Sequence, residues 1–295
     1  MNRAGAYIDS LTEKLTTRFL NPKASALFVK GVFVFVLFRL IGLWLVSDMF
    51  LHDATASFPR SLIGKVVLWP TMFAHANPML FFLATLAVIL AGLILRPNYL
   101  VNALLFWIVL SLYKIRYPAT NGSDVVLITI SLLMIPLAFW PSSRNTYVTT
   151  LRTTLYNTFR ILLQIQVLSI YLISGWDKLT SEVWRSGVAF DYIAHIDMMF
   201  NPVFTPMLEH SFIQLLMAWL TILFELLFIP MVCFRQTRLP ILIIGVAFHI
   251  VIWLMLGLPD FAWMMIATYP IFLKDTDLVI IQNQWNRIRG VKAML

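Results

Sequence analysis

Residues 162–190 read LLQIQVLSIYLISGWDKLTSEVWRSGVAF, an apolar run that closes on Asp177 and Lys178 and is followed by Trp184. A lysine at the end of a membrane-grade helix costs free energy unless it is paired, snorkels to the interface or does chemistry. An amine held partly away from water is a competent general base near neutral pH. The structural alternative for Lys178 is a helix-end cation that snorkels to the interface beside Asp177.

Four further polar features interrupt apolar stretches: Arg39 in FRLIGLWL, the pair Gln164 and Gln166, Glu225 in WLTILFELLFIP, and His249 in GVAFHIVIWLMLG. Ionisable groups inside a membrane face the bundle interior and are functional candidates by default. Arg39 and Glu225 also suit a structural ion pair between two helices. His249 also suits a satisfied core position, donating to a backbone carbonyl. Gln164 and Gln166 fall on opposite faces of a helix, so one of them can point inward and hydrogen-bond a neighbouring helix. His52, His75, His195 and His210 have no metal-ligand spacing, and His195-x-Asp197 stands without an HxxxH or HExxH partner, so no metal site is expected. Ser174-Gly175 is not a nucleophile elbow. The lone Cys233 excludes an internal disulfide and a CxxC motif. Asn121-Gly122-Ser123 matches a glycosylation sequon.

The elements that must carry these residues are membrane helices. The chain has 295 residues, 60% hydrophobic and 12% charged, whereas soluble domains carry roughly a quarter charged residues. Lipid is therefore the solvent for most of it. The net charge of +8 is explained by the excess of Lys and Arg on cytoplasmic loops, and no nucleic-acid partner is expected. The expected spans are Leu27–Phe50, Met79–Leu95, Leu100–Tyr113, Asp124–Trp140, Phe159–Ile173, Phe212–Cys233, Leu239–Leu256 and Asp260–Leu273, an all-α polytopic bundle of about eight helices. Pro97-Asn98, Pro118 to Gly122, Pro141-Ser142-Ser143 and Arg235 to Pro240 punctuate them. Arg3, Lys14, Arg18, Lys23, Arg96, Arg144, Arg152, Arg235, Arg238, Lys274, Arg287, Arg289 and Lys292 then fall on one side. Arg60, Lys65, Lys114, Arg116, Lys178 and Arg185 fall on the other. This asymmetry predicts cytoplasmic termini and an outward-facing Lys178.

Residues 1–25 read as an amphipathic cytoplasmic segment, not a cleaved signal peptide, with Tyr7, Leu11, Leu15 and Phe19 on one side and an end at Asn21-Pro22. Residues 26–275 form the transmembrane domain and 276–295 a cytoplasmic tail. The connections His52–Asn77 and Thr180–His210, rich in Phe, Trp, Pro and Met, are expected to fold onto the helices as interfacial or re-entrant segments.

YLISGWDKL followed by Trp184-x-x-Gly187-x-Ala189 resembles the signature of the horizontally transferred transmembrane (HTTM) domain family. That family includes the vitamin K-dependent gamma-carboxylases and membrane maturation proteins of some bacterial toxin peptides. The resemblance extends in order through FRLIGLWL, Asn121-Gly122-Ser123-Asp124, Glu225 and FHIVIWLMLGLPDF, from about residue 26 to 275. It implies that Lys178 is the base acting on a reduced, vitamin K-type quinone. It also implies that His249 is catalytic and that Asn121, Glu225 and Trp184 hold the cofactor. A quinol, membrane lipid and a small peptide substrate or partner protein are the implied partners. Two departures stand against full carboxylase activity: Gly122 follows Asn121 where carboxylases carry histidine, and the chain ends soon after its last span, without their soluble domain. Three readings remain open: a quinol-dependent membrane enzyme, a maturation or export partner for a small secreted peptide, and a non-enzymatic lipid- or solute-binding bundle. The compact design and lack of cysteine pairs favour a multi-pass protein of a bacterial inner membrane.

Overall fold

The computed structural model describes residues 3–51, 61–96, 98–117, 119–138, 146–196, 200–288 and 290, with the side chains of 3–8, 11 and 288 left aside. Among the described residues there is no strand. Ten longer helices order the chain: α1 (Arg3–Thr17), α2 (Pro22–Leu45), α3 (Pro78–Ile94), α4 (Tyr99–Arg116), α5 (Gly122–Leu133), α6 (Thr146–Thr180), α7 (Ser211–Cys233), α8 (Arg235–Leu256), α9 (Pro259–Thr268) and α10 (Asp275–Ile288). The all-α polytopic expectation holds, and every expected span has a helical counterpart. Helices α2, α4, α6, α7 and α8 are long and apolar enough to cross a membrane, while α3 and α5 are shorter apolar helices.

Several boundaries differ from the sequence expectation. Helix α2 ends at Leu45, with a short helix Ser47–Leu51 after it, and α8 starts at Arg235 and carries Pro240 inside it, so no break falls between Arg235 and Pro240. Helix α5 stops at Leu133 because Pro136 turns the following residues into the 3-10 segment Ile135–Ala138. The eighth segment is likewise split, α9 giving way to the 3-10 turn Tyr269–Phe272 at Pro270. The fifth is much longer than expected. Helix α6 has 35 residues, about 52 Å at the usual rise. Its first half, TYVTTLRTTLYNTFR, is too polar for a hydropathy reading. Its threonines nevertheless satisfy themselves along the helix, Thr153 and Thr154 donating to the carbonyls of Thr149 and Thr150 at 2.9 Å each.

The described parts of the two long connections form short helices, including Leu62–Val67, Trp69–Ala76, Glu182–Arg185 and Val188–Ala194. Asn21 takes a left-handed conformation, φ 47°, and Pro22 opens α2, so the chain turns where Asn-Pro predicts. His52, Arg60, Pro97, Pro118, Trp140, Pro141, Ser142, Ser143, Arg144, Asp197, Arg289 and Lys292 lie outside the described residues, as do the side chains of Tyr7 and Leu11.

Two compact units divide the chain, residues 1–163 and 164–295, with the boundary inside α6. In the first, α2 packs on α3 and α4 on α5. Arg39 is buried and pairs with Asp124, not with Glu225 as an interhelical pair would have had it, and Arg116 reaches the same carboxylate at 3.2 Å. The fully buried Asn157 of α6 donates to the carbonyls of Leu15 and Arg18 at 2.9 and 2.8 Å and accepts from the Leu20 amide at 2.9 Å. One side chain thus ties down the link that follows α1. In the second unit, α7 lies along α8, α8 along α9, and Glu182–Arg185 and Val188–Ala194 lie on α7. Arg238 and Asp277, both buried, pair at 3.0 Å.

Candidate functional site

The site begins with a stripe on α6. Tyr171, Ser174, Gly175 and Lys178 recur at the three- and four-residue spacing that places side chains on one helix face. Gly175 sets how closely that face meets α7: a Cβ there would stand 2.9 Å from Leu226 Cδ2 and 3.1 Å from Glu225 Cβ. With the helices this close, the Lys178 ammonium reaches back over Ser174 to Glu225. Its Nζ lies 3.0 Å from each carboxylate oxygen and donates to Ser174 Oγ, which donates in turn to Glu225 Oε1 at 3.2 Å. Lys178 therefore pairs with Glu225, in place of the Asp177 contact that sequence adjacency suggests. Each charge is satisfied by the other, which is what an intramembrane lysine requires.

Trp184 covers the ammonium, its ring centroid 5.0 Å from Nζ, in the geometry of a cation–π contact. The chain after it is folded back by Gly187. Its φ of 84° disfavours a side chain, and a Cβ there would meet the Leu215 backbone at 2.7 Å. This close approach seats Phe190 against Trp184 edge-to-face at 5.8 Å. Trp219 Nε1 donates to the Arg185 carbonyl at 3.2 Å and fixes the same turn to α7.

Lys178, Glu225, Ser174 and Thr221 form the polar end of a cavity of about 300 Å³. Its walls are aromatic and aliphatic, among them Trp184, Phe190, Phe248, Phe261, Met217 and Met255. The arrangement suits a flat apolar ring carrying a hydroxyl, with one charged pair to meet that hydroxyl and apolar walls to hold the ring. The pair stays neutral overall whichever partner holds the proton, so a proton can move between lysine and glutamate without leaving a net charge in the apolar site.

The structure gathers Lys178, Glu225 and Trp184 at this cavity. His249 is placed differently. It is buried, it does not line the cavity, and its Nε2 shares a 2.8 Å hydrogen bond with the Tyr171 hydroxyl, which meets the Tyr269 hydroxyl at 2.8 Å. No hydrogen-bond partner for its Nδ1 is found among the described residues. His249 therefore sits behind the wall made by its neighbour Phe248. Asn121 belongs to the first unit. Its Oδ1 accepts from the Ser123 amide at 2.9 Å and from the Ser123 hydroxyl, while Asp124 accepts from the Asn121 amide at 2.8 Å. The two form a capping box that starts α5. Of the paired glutamines, Gln164 points inward and donates to the Ile271 carbonyl at 3.0 Å. His195 Nδ1 is within 2.7 Å of the Asp191 carbonyl.

Sequence reasoning passed over Ser174 and Thr221 as site residues and missed Tyr171 and Tyr269 altogether. A signal for the first two was present: each stands four residues before a charged partner, Ser174 before Lys178 and Thr221 before Glu225, on the same helix face. Tyr269 follows an apolar stretch with nothing to mark its hydroxyl.

The chain is 26% identical over 203 residues to the sporulation-delaying protein SdpB of Bacillus subtilis (strain 168), a match covering 64% of this chain. It spans about three-fifths of that relative's length, 61%. No solved structure matches. The model of the HTTM domain matches residues 23–276, which takes in α2 to α9 and every residue of the cavity, and the chain belongs to the HTTM domain family.

Proposed function

We propose that this multi-pass membrane protein is a quinol-dependent enzyme in which Lys178 is the base. The observation that carries the reading is the Lys178–Glu225 pair at the end of an otherwise apolar, aromatic cavity. The residues fit a reduced quinone. Phe190, Phe248 and Phe261 would flank its ring, and the Lys178–Glu225–Ser174 cluster would meet a hydroxyl. A bound hydroquinone would supply an ionisable hydroxyl and two reducing electrons. Lys178 takes up a proton at Nζ when Glu225 holds the proton of the pair, and Ser174 bridges the two. Trp184 keeps the resulting ammonium over its ring. His249 acts from behind the wall as a positioning residue through Tyr171. The distribution of Lys and Arg supports an outward-facing site with both termini in the cytoplasm, and the likeness to a Bacillus subtilis protein supports a bacterial membrane.

The likeness to a sporulation-delaying protein favours a second reading, a maturation or export partner for a small secreted peptide. One experiment separates the two. Purified protein, Lys178→Ala and Glu225→Gln are incubated with menaquinol or reduced vitamin K and oxygen, and quinone epoxide is followed by mass spectrometry. Epoxide from the wild type and none from the folded Lys178→Ala variant supports the enzyme. Equal epoxide from both removes Lys178 from the chemistry. No epoxide from well-folded wild type moves the reading to the peptide partner.

A further inference from the structure

A second, larger cavity of about 710 Å³ lies elsewhere in the second unit, against the start of α8, and shares no lining residue with the lysine cavity. One wall is a stripe on α8: Arg235, Leu239, Leu242, Ile243 and Val246. These positions keep the spacing of one helix face and descend about 16 Å along the axis, from a guanidinium at one end to aliphatic side chains at the other. Ile281 and Gln284 of α10 form part of the facing wall. The cavity is therefore polar at one end and apolar along its length.

The charge at the polar end is unspent. Arg238, within one turn of Arg235, is consumed by the buried pair with Asp277, and Asp277 also accepts from the Lys274 amide at 2.9 Å. The Arg235 guanidinium and the Gln236 and Gln284 amides have no hydrogen-bond or ion-pair partner among the described residues. Helix α10 leaves Val279, Ile280, Ile281 and Trp285 exposed, the character of a helix that lies in the membrane interface with tryptophan at headgroup depth. Lys274 and Arg287 add positive charge at its ends, against Asp275. Basic pockets at this depth are suited to lipid headgroups.

We infer that this groove binds an anionic phospholipid, its phosphate against Arg235 and an acyl chain along Leu239, Ile243 and Val246. The inference stands apart from the proposed enzymatic reading, since the two cavities share no lining residue; Tyr269, which lines this groove, meets the lysine site only through its hydrogen bond to Tyr171. The test uses the full chain, purified and stripped of lipid. Its thermal stability is titrated with phosphatidylglycerol, with phosphatidylcholine of the same chains, and with inorganic phosphate. Phosphatidylglycerol is expected to raise the melting temperature at lower concentration than phosphatidylcholine, and phosphate to do nothing. Arg235→Gln, an exposed substitution, is expected to weaken phosphatidylglycerol about fivefold. Arg96→Gln, a basic residue of the other unit, is expected to leave the preference intact. Ile243→Trp, which narrows the groove, is expected to weaken both lipids. Equal effects of the two lipids, a full preference in Arg235→Gln, or equal losses in Arg235→Gln and Arg96→Gln would overturn the inference. A stabilisation reproduced by phosphate alone would overturn it too, since the groove would then hold a free anion.

Discussion

Removing Glu225 should cost more than removing Glu225 and Lys178 together. At 3.0 Å from both carboxylate oxygens, with an effective dielectric near 20, the attraction is about 5 kcal/mol. Desolvation of both groups offsets most of this, so the pair adds little against a hydrophobic replacement. Removing one partner instead strands the other charge, at about 3–5 kcal/mol. The side chains are 17% and 9% exposed, and the lysine opens on the cavity, which puts the cost of Glu225→Leu near the lower end, about 3 kcal/mol. That corresponds to a melting temperature lower by about 6–12 °C. The double variant Lys178→Met/Glu225→Leu should return to within about 1 kcal/mol of wild type. The assay is a double-mutant cycle in thermal melts of the purified protein, with menaquinol turnover measured on the same samples. The double variant should be stable and inactive. Additive losses in the two single variants, with no recovery in the double, would refute the reasoning, because the pair would then carry no coupling.

Other consequences are as open to measurement. Asn157→Ala should cost about 2–3 kcal/mol by leaving the Leu20 amide and the Leu15 and Arg18 carbonyls unpaired. Trypsin should then cut at Lys14 and Arg18 much faster than in wild type. Gly187→Ala should cost about 2–4 kcal/mol from its left-handed φ and its contact with the Leu215 backbone, read as a loss in melting temperature. Asn121→Ala should cost about 1 kcal/mol by uncapping α5, and Asn121→Ser should restore most of it. An unchanged melting temperature in Asn121→Ala would show that the cap contributes nothing.

Composition and hydropathy made the class of fold plain, because lipid imposes a simple demand: long apolar helices with their backbone groups satisfied internally. The same demand hid the polar half of α6, where Thr149 to Arg160 continues a helix that no apolar window would include. Polar residues in apolar surroundings were equally visible, and Lys178 and Glu225 stood out for that reason. Their partners did not. Hydropathy ranks residues along a helix but carries no information on which helix lies beside it, so Glu225 was matched with Arg39, while Asp124 and Lys178 are the actual partners. Asp277 escaped notice as Arg238's partner because it falls beyond the last apolar stretch. Asn121 carries two readings at once. Resemblance offered it as a ligand, yet Asn-Gly-Ser-Asp ahead of an apolar run is a helix-start pattern, and the structure uses it as one.

The close contact at Gly175 places a constraint on how such sequences can diverge. A methyl group there pushes against Leu226 and Glu225, and the two helices must part before the lysine loses its carboxylate. Position 175 should therefore change in concert with 178 and 225 among descendants of this chain. A lineage that acquires a bulkier residue at 175 is released from keeping the charged pair, and its lysine and glutamate should then drift to apolar residues together.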